Sequence, residues 1–199
     1  MTRIKLCGLT REEDINAVNE LRPEYIGFVF WERSKRNISP DDALRLRQML
    51  LPGITPVGVF VDESAENIAA LVRRGIIGCV QLHGSETNED IARLRSLVTV
   101  PVIRAFRVKT TADITLAEKS AADMVLLDSG TGSGVSFDWS WLAGAKRPYF
   151  LAGGLNCDNV SKAVSDLHPY AVDVSSGIET GGVKDKDKMK RFVAAVRNL

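Results

Sequence analysis

Only two of the 199 residues are histidine and three are cysteine, and those shortages remove several chemistries at once. An odd number of cysteines at irregular spacing makes neither a disulfide framework nor a metal knuckle. No charge of one sign dominates: 26 Lys and Arg stand against 25 Asp and Glu, a net of +1, scattered without the basic patch that nucleic acid needs. No apolar run approaches the ~20 residues of a membrane helix. Met1-Thr2-Arg3-Ile4 leads straight into a strand pattern, with no signal peptide. The glycine-rich segment 129–136 lacks the lysine of a nucleotide P-loop, and Cys7-Gly8-Leu9-Thr10 is not a dinucleotide fingerprint. With 45% apolar and 26% charged residues, the expectation is a reduced, cytoplasmic globular protein with a real core, without nucleic-acid or membrane partners.

What is present is an alternation of strands and helices. Strands are expected over Ile4–Cys7, Tyr25–Phe30, Pro56–Val61, Gly78–Leu82, Pro101–Ala105, Asp123–Leu127, Tyr149–Ala152 and Ala171–Val174. Helices are expected over Arg11–Leu21, Pro40–Leu50, Ala65–Arg74, Asn88–Leu97, Thr111–Ser120, Trp139–Ala143, Cys157–Ser165 and Lys186–Val196. Ser39, Ser64 and Asp138 are placed to cap helices, with Pro40 suited to a first turn. Strands such as Val57-Gly58-Val59-Phe60 are apolar on both faces, as parallel strands covered on both sides should be. Eight such units close into one (β/α)₈ barrel spanning residues 1–199, a TIM barrel at the short end of that fold's range. An open doubly wound sheet is the structural alternative.

In a barrel of this kind the site lies where strands end. The residues found there are Cys7, Arg36, Asp62, His83, Arg104, Asp128, Gly153-Gly154 and Ser175-Ser176-Gly177. Gly153-Gly154 and Ser175-Ser176-Gly177 can bring backbone N–H groups to an anion, and loops seven and eight are the usual phosphate cradle of the fold. Two glycine-containing turns are the plainer reading. A phosphorylated small molecule is therefore the expected substrate. Arg36 has a planar fork suited to a second anion, a carboxylate, at the other side of the mouth; with Arg33 and Lys35 beside it, a solvated loop arginine competes. His83 is either a ligand contact or a strand-end histidine bonded to backbone, and no second histidine stands near enough to make a metal pair. Segment 129–136 reads as a mobile lid or as a plain connection.

Cys79 lies within a strand and reads as a small buried hydrophobe, and Cys157 as a packing residue. Cys7 differs: it ends a strand, and alternation puts Lys5 on the same face one layer below. A neighbouring ammonium favours thiolate. Strand eight closes against strand one, so Asp173 is expected to hold Lys5. A thiol and the carboxyl of Asp128, each at a strand end, suggest proton transfer.

Taken in order, these pieces resemble the phosphoribosylanthranilate isomerase family of tryptophan biosynthesis. The matching segments are Lys5-Leu6-Cys7-Gly8-Leu9-Thr10, Gly27-Phe28-Val29-Phe30 with Ser34-Lys35-Arg36, Val57-Gly58-Val59-Phe60 and Gln81-Leu82-His83-Gly84. They continue through Leu126-Leu127-Asp128, Phe137-Asp138-Trp139, Leu151-Ala152-Gly153-Gly154-Leu155 and Asp173-Val174-Ser175-Ser176-Gly177-Ile178-Glu179, covering essentially the whole chain. The resemblance implies an Amadori rearrangement of N-(5-phosphoribosyl)anthranilate. Asp128 would be the general acid that opens the ribose ring, and Cys7 the general base at C2. Arg36 would clamp the anthranilate carboxylate, with His83, Arg104 and Asp173 also binding substrate. Gly153, Gly154, Ser175, Ser176 and Gly177 would hold the phosphate. To fill those roles the Asp128 carboxyl must titrate higher than usual and the Cys7 thiol lower. No metal or redox cofactor is required. Gly181 stands where the family has proline, which should loosen that loop. A related phosphosugar-amine isomerase of histidine biosynthesis and a non-catalytic phosphosugar-binding barrel are the rivals; a short barrel with no fused unit suggests a monomer.

Overall fold

A computed structural model describes residues 1–128 and 139–199. The expected lid 129–136 and the cap Asp138 lie outside the described residues. Eight parallel strands close in sequence order into a barrel. They are β1 (Arg3–Cys7), β2 (Tyr25–Val29), β3 (Thr55–Phe60), β4 (Cys79–Leu82), β5 (Val102–Arg107), β6 (Met124–Asp128), β7 (Tyr149–Ala152) and β8 (Ala171–Val174). Closure is made by β1 against β8, with Lys5 opposite Asp173. The helices are α1 (Glu12–Leu21), α2 (Pro40–Met49), α3 (Ala65–Arg73), α4 (Asn88–Arg95), α5 (Thr111–Glu118), α6 (Val160–Leu167) and α7 (Lys186–Arg197), and a 3₁₀ helix, Trp139–Gly144, takes the sixth place. No described helix is long and apolar enough to cross a membrane.

Two of the anticipated caps form. The Ser39 hydroxyl accepts from Asp42 N–H and the Ser64 hydroxyl from Asn67 N–H, each satisfying a donor that the first turn leaves unpaired. Strand alternation then sorts the apolar residues into two layers. Val57, Cys79, Ile103, Ala105, Leu126, Phe150, Ala152 and Ala171 pack inside the barrel, while residues of opposite parity, such as Leu6, Phe28, Val80 and Val125, meet the helices. Side chains fill the lower barrel and leave a cavity at its mouth.

Three local differences from the sequence reading affect the site. First, β5 runs to Arg107, two residues beyond the expected end. Second, α6 begins at Val160 rather than Cys157. The Asn156 side-chain oxygen accepts from the N–H groups of Asp158 and Asn159 at 2.8 and 3.2 Å, an Asx turn that holds the chain out of helix. Third, Gly181 stands in a defined turn. It forms with Gly182 the two-residue turn of a hairpin between β9 (Glu179–Thr180) and β10 (Val183–Lys184), with φ of +61° and +82°. Two successive positive φ values define the tight turn that suits a hairpin, and proline, fixed near −65°, cannot adopt the first.

Candidate active site

A cavity of about 330 Å³ opens at the carboxyl ends of the strands. Inward alternation supplies its walls: Cys7 from β1, Val59 after Val57 on β3, Gln81 after Cys79 on β4 with His83 just past its end, Asp128 after Leu126 on β6, and Asp173 after Ala171 on β8. Arg36 enters from the loop after β2, and Gly153, Gly154, Ser175 and Ser176 from the loops after β7 and β8. The structure thus brings nine of the anticipated residues to one concavity: Cys7, Arg36, His83, Asp128, Gly153, Gly154, Asp173, Ser175 and Ser176. A second cleft, of about 380 Å³, lies over the starts of α3 and α4 and is lined by Asp62, Glu63, Glu66, Glu86 and Asp90. Its carboxylates would repel a phosphate.

Cys7 is positioned by its neighbours. Gly27 lies beside it on β2, and a Cβ there would come within 2.5 Å of Sγ; glycine at 27 is what leaves the thiol its space. Below it, Lys5 is fully buried and donates to Asp173 Oδ1 at 3.0 Å, the partner expected from barrel closure. Burial alone would lower the Lys5 pKa, but Asp173 and Cys7 outweigh it and the net shift is upward. The thiol departs from expectation. Burial pushes Cys7 above its ordinary 9.0, and although Lys5 and Lys184 pull it down, Asp173 adds to the rise and the net remains upward. Desolvation wins because a thiolate inside the barrel loses water. In the unliganded protein the ultraviolet absorbance of the Cys7 thiolate should therefore develop at higher pH than that of an unperturbed thiol. Lys5→Met, which removes an attracting charge, should move it higher still; a downward move would contradict this electrostatic picture.

Around the rim runs a chain of charges that the sequence reading did not identify. Arg36 donates from Nε and Nη2 to the two carboxylate oxygens of Glu179 at 2.6 and 2.7 Å. This settles its orientation and leaves its remaining N–H groups for another anion. Lys184, buried beneath, bonds Glu179 and also the carbonyl and hydroxyl of Ser175 at 3.0 and 3.2 Å. Ser175 Oγ donates to the Cys7 carbonyl at 3.1 Å, tying loop eight to loop one. Burial would raise the Glu179 carboxyl, but bonds from Arg36 and Lys184 hold it below the usual range. Neither Glu179 nor Lys184 ends a barrel strand, so the rule that located the other residues passes over them.

Arg104 is a correction. It points outward, against the neighbouring loop, where its guanidinium donates to the carbonyls of Leu82, Gly84, Ala105 and Glu86 and pairs with Glu86 at 3.2 Å. It braces the loop after β4 and does not line the cavity. Arg107 does line it. Counting by twos from Ile103 and Ala105 would have found it, had the strand been drawn two residues longer.

Gly177 is also outside the lining and has a steric role. A Cβ there would lie 1.9 Å from the Leu155 carbonyl oxygen, so this glycine allows loops seven and eight to touch. Gly177→Ala should destabilise the protein by about 1–3 kcal/mol, the usual range for forced overpacking, and weaken inorganic phosphate as a competitive inhibitor. Urea unfolding and inhibition assays read both effects. Gly153 and Gly154, with φ of +92° and +67°, hold the other side of the cradle in a conformation that side chains resist.

Comparisons with known proteins point one way. The family model described as N-(5'phosphoribosyl)anthranilate (PRA) isomerase matches residues 4–195. Relatives bearing the name N-(5'-phosphoribosyl)anthranilate isomerase include one from Endomicrobium trichonymphae, 45% identical with both chains fully covered, and one from Acetivibrio thermocellus, 42% identical over 99% of this chain and 96% of the other. Among solved structures, the phosphoribosyl anthranilate isomerase of Thermotoga maritima superposes with a TM-score of 0.90 at 38% identity, covering both chains fully. Another, in complex with reduced 1-(o-carboxyphenylamino)-1-deoxyribulose 5-phosphate, has a TM-score of 0.87 at 37% identity over the full length of both.

Proposed function

Because the chain belongs to the N-(5'-phosphoribosyl)anthranilate isomerase family, we infer that the groups at its mouth divide the steps of an Amadori rearrangement between a carboxyl and a thiol. The enzyme converts N-(5'-phosphoribosyl)anthranilate to 1-(o-carboxyphenylamino)-1-deoxyribulose 5-phosphate in tryptophan biosynthesis. The observation that carries the assignment of roles is that Cys7 and Asp128 reach one cavity from β1 and β6, with the phosphate-type loops after β7 and β8 between them.

Asp128 is the acid. Its proton goes to the ribose ring oxygen as the C1–O bond breaks, and the amine lone pair closes a C=N bond. Cys7 is the base: its thiolate takes the C2 proton, and the electrons of that C–H bond move through C1 to nitrogen, giving an enolamine. Tautomerisation then puts a proton on C1 and leaves a ketone at C2. Arg36, braced by Glu179, clamps the anthranilate carboxylate, and Arg107 adds positive charge on the β5 side. Phosphate binds to backbone N–H groups at Gly154 and Ser176. His83 and Asp173 stand beside the two reacting groups. We expect a monomer, for which light scattering should give the mass of one chain.

The thiol argues against the histidine-pathway isomerase that performs similar chemistry, whose pattern has aspartates in both roles. The direct test is the loss of anthranilate-type fluorescence when freshly made phosphoribosylanthranilate is mixed with the purified protein. No loss above the buffer rate would reject the assignment.

A further inference from the structure

This inference rests on Asp128 being the general acid and concerns what stands behind it. Gln81 is 1% exposed on β4, yet it lines the floor of the cavity. Its Nε2 lies 2.9 Å from Nδ1 of His83, and its Oε1 has no hydrogen-bond partner among the described residues. The other ring nitrogen of His83, Nε2, lies 3.6 Å from Asp128 Oδ2. An amide, an imidazole and the carboxyl therefore form a line across the mouth.

Two proton arrangements fit a line of this kind. In the first, the Gln81 N–H donates to a bare Nδ1, which puts the ring proton on Nε2, facing Asp128. In the second, the amide is turned over and its oxygen accepts from Nδ1–H. That would bury an NH₂ group with no acceptor where a single oxygen now lacks a donor. Buried N–H groups without partners are rarer and costlier than under-used carbonyls, which favours the first arrangement. A ring nitrogen that already accepts a hydrogen bond cannot take a proton unless that bond breaks.

We propose that Gln81 is a positioning residue for ring opening: it fixes His83 as the neutral tautomer protonated on Nε2, so that Asp128 faces a hydrogen-bond donor and not an imidazolium. The difference matters for an acid. An imidazolium a few ångströms away would hold Asp128 as carboxylate, with no proton to give. A neutral donor leaves the acid able to ionise and then bonds to the carboxylate that remains. The other charged or titratable groups that line the cavity with this pair are Cys7 from β1, Arg36 after β2, Arg107 from β5 and Asp173 from β8; Lys5 stands behind Cys7 on Asp173, and Lys184 and Glu179 behind Arg36. From β7 and the loop after it come Ala152, Gly153, Gly154 and Leu155, none of them titratable. None of these changes in the variants below.

The chain has only two histidines, His83 and His168, so nitrogen-labelled histidine gives two ring systems, assigned by His168→Asn. At neutral pH, nuclear magnetic resonance should show His83 with its proton on Nε2. A proton on Nδ1, or a doubly protonated ring, would overturn the proposal in the unmodified protein, whatever becomes of the variants. In folded Gln81→Glu, a carboxylate facing Nδ1 should draw a second proton onto the ring, lower kcat about tenfold or more, and move one limb of its pH profile down by 1–3 units, with KM little changed. An unchanged profile in folded protein would also reject it. Failure of the acid assignment is a separate result: Asp128→Asn would then stay active whichever tautomer His83 adopts.

Discussion

Cys7→Ser should lower kcat by about 10²- to 10⁴-fold, the range that a positioned base supplies, while the reduced product analogue still binds. Serine keeps the shape of the side chain and fits the space that Gly27 leaves. What it loses is acidity: an alkoxide is far harder to form than a thiolate, even one whose pKa burial has raised. Arg36 and the loops after β7 and β8 anchor substrate by its two ends, and Ser175 meets Cys7 at its carbonyl, so binding and turnover should separate. The upward shift at Cys7 also has a consequence in the native enzyme. Near neutral pH only a small fraction of molecules carry thiolate, and that fraction grows about tenfold per pH unit below the thiol's pKa. Single-turnover rates of C2 proton removal should rise with pH until Asp128 loses its proton. Near-normal turnover in Cys7→Ser would remove the thiol from the mechanism.

The second large effect is expected at Asp128. Asp128→Asn preserves size and hydrogen bonding but cannot protonate the ring oxygen, so kcat/KM should fall by about 10²–10⁴. The side chain is partly exposed at the mouth, 23%, and the unfolding midpoint should barely move. The two variants are distinguished by a substrate carrying deuterium at C2. In Cys7→Ser, breaking the C2–H bond limits the rate and the isotope effect should be large. In Asp128→Asn, ring opening limits the rate and the isotope effect should vanish. The opposite pattern would exchange the roles of the two residues.

The barrel was legible because its strands are apolar on both faces and are separated by helical periodicity, as in Val57–Phe60 followed by Ala65–Arg73. The same period of two that marks a strand also says which side chain faces inward. Cys7, Lys5 and Asp173 could therefore be related to one another before any coordinates. Legibility failed where that counting lost its phase. Ending the fifth strand at Ala105 put Arg104 in the site and left out Arg107, although the two point to opposite sides of the same strand. The rim charges failed for another reason: Glu179 and Lys184 belong to a hairpin whose two-residue glycine turn folds them back onto Ser175 and Arg36, and no periodicity reports a fold-back of that kind. The sign of the Cys7 shift was misread because a neighbouring ammonium is visible in sequence, whereas the depth of burial that outweighs it is not. Gly177 was read as a phosphate contact, while its need for glycine comes from the Leu155 carbonyl beside it.

The most direct test is a crystal structure of this protein with reduced 1-(o-carboxyphenylamino)-1-deoxyribulose 5-phosphate bound. The sugar should lie between Cys7 Sγ and the Asp128 carboxyl, its phosphate on the backbone N–H groups after β7 and β8 and its benzoate carboxylate on Arg36. A ligand seated elsewhere, or with both reacting side chains on one face of the sugar chain, would contradict the assignment.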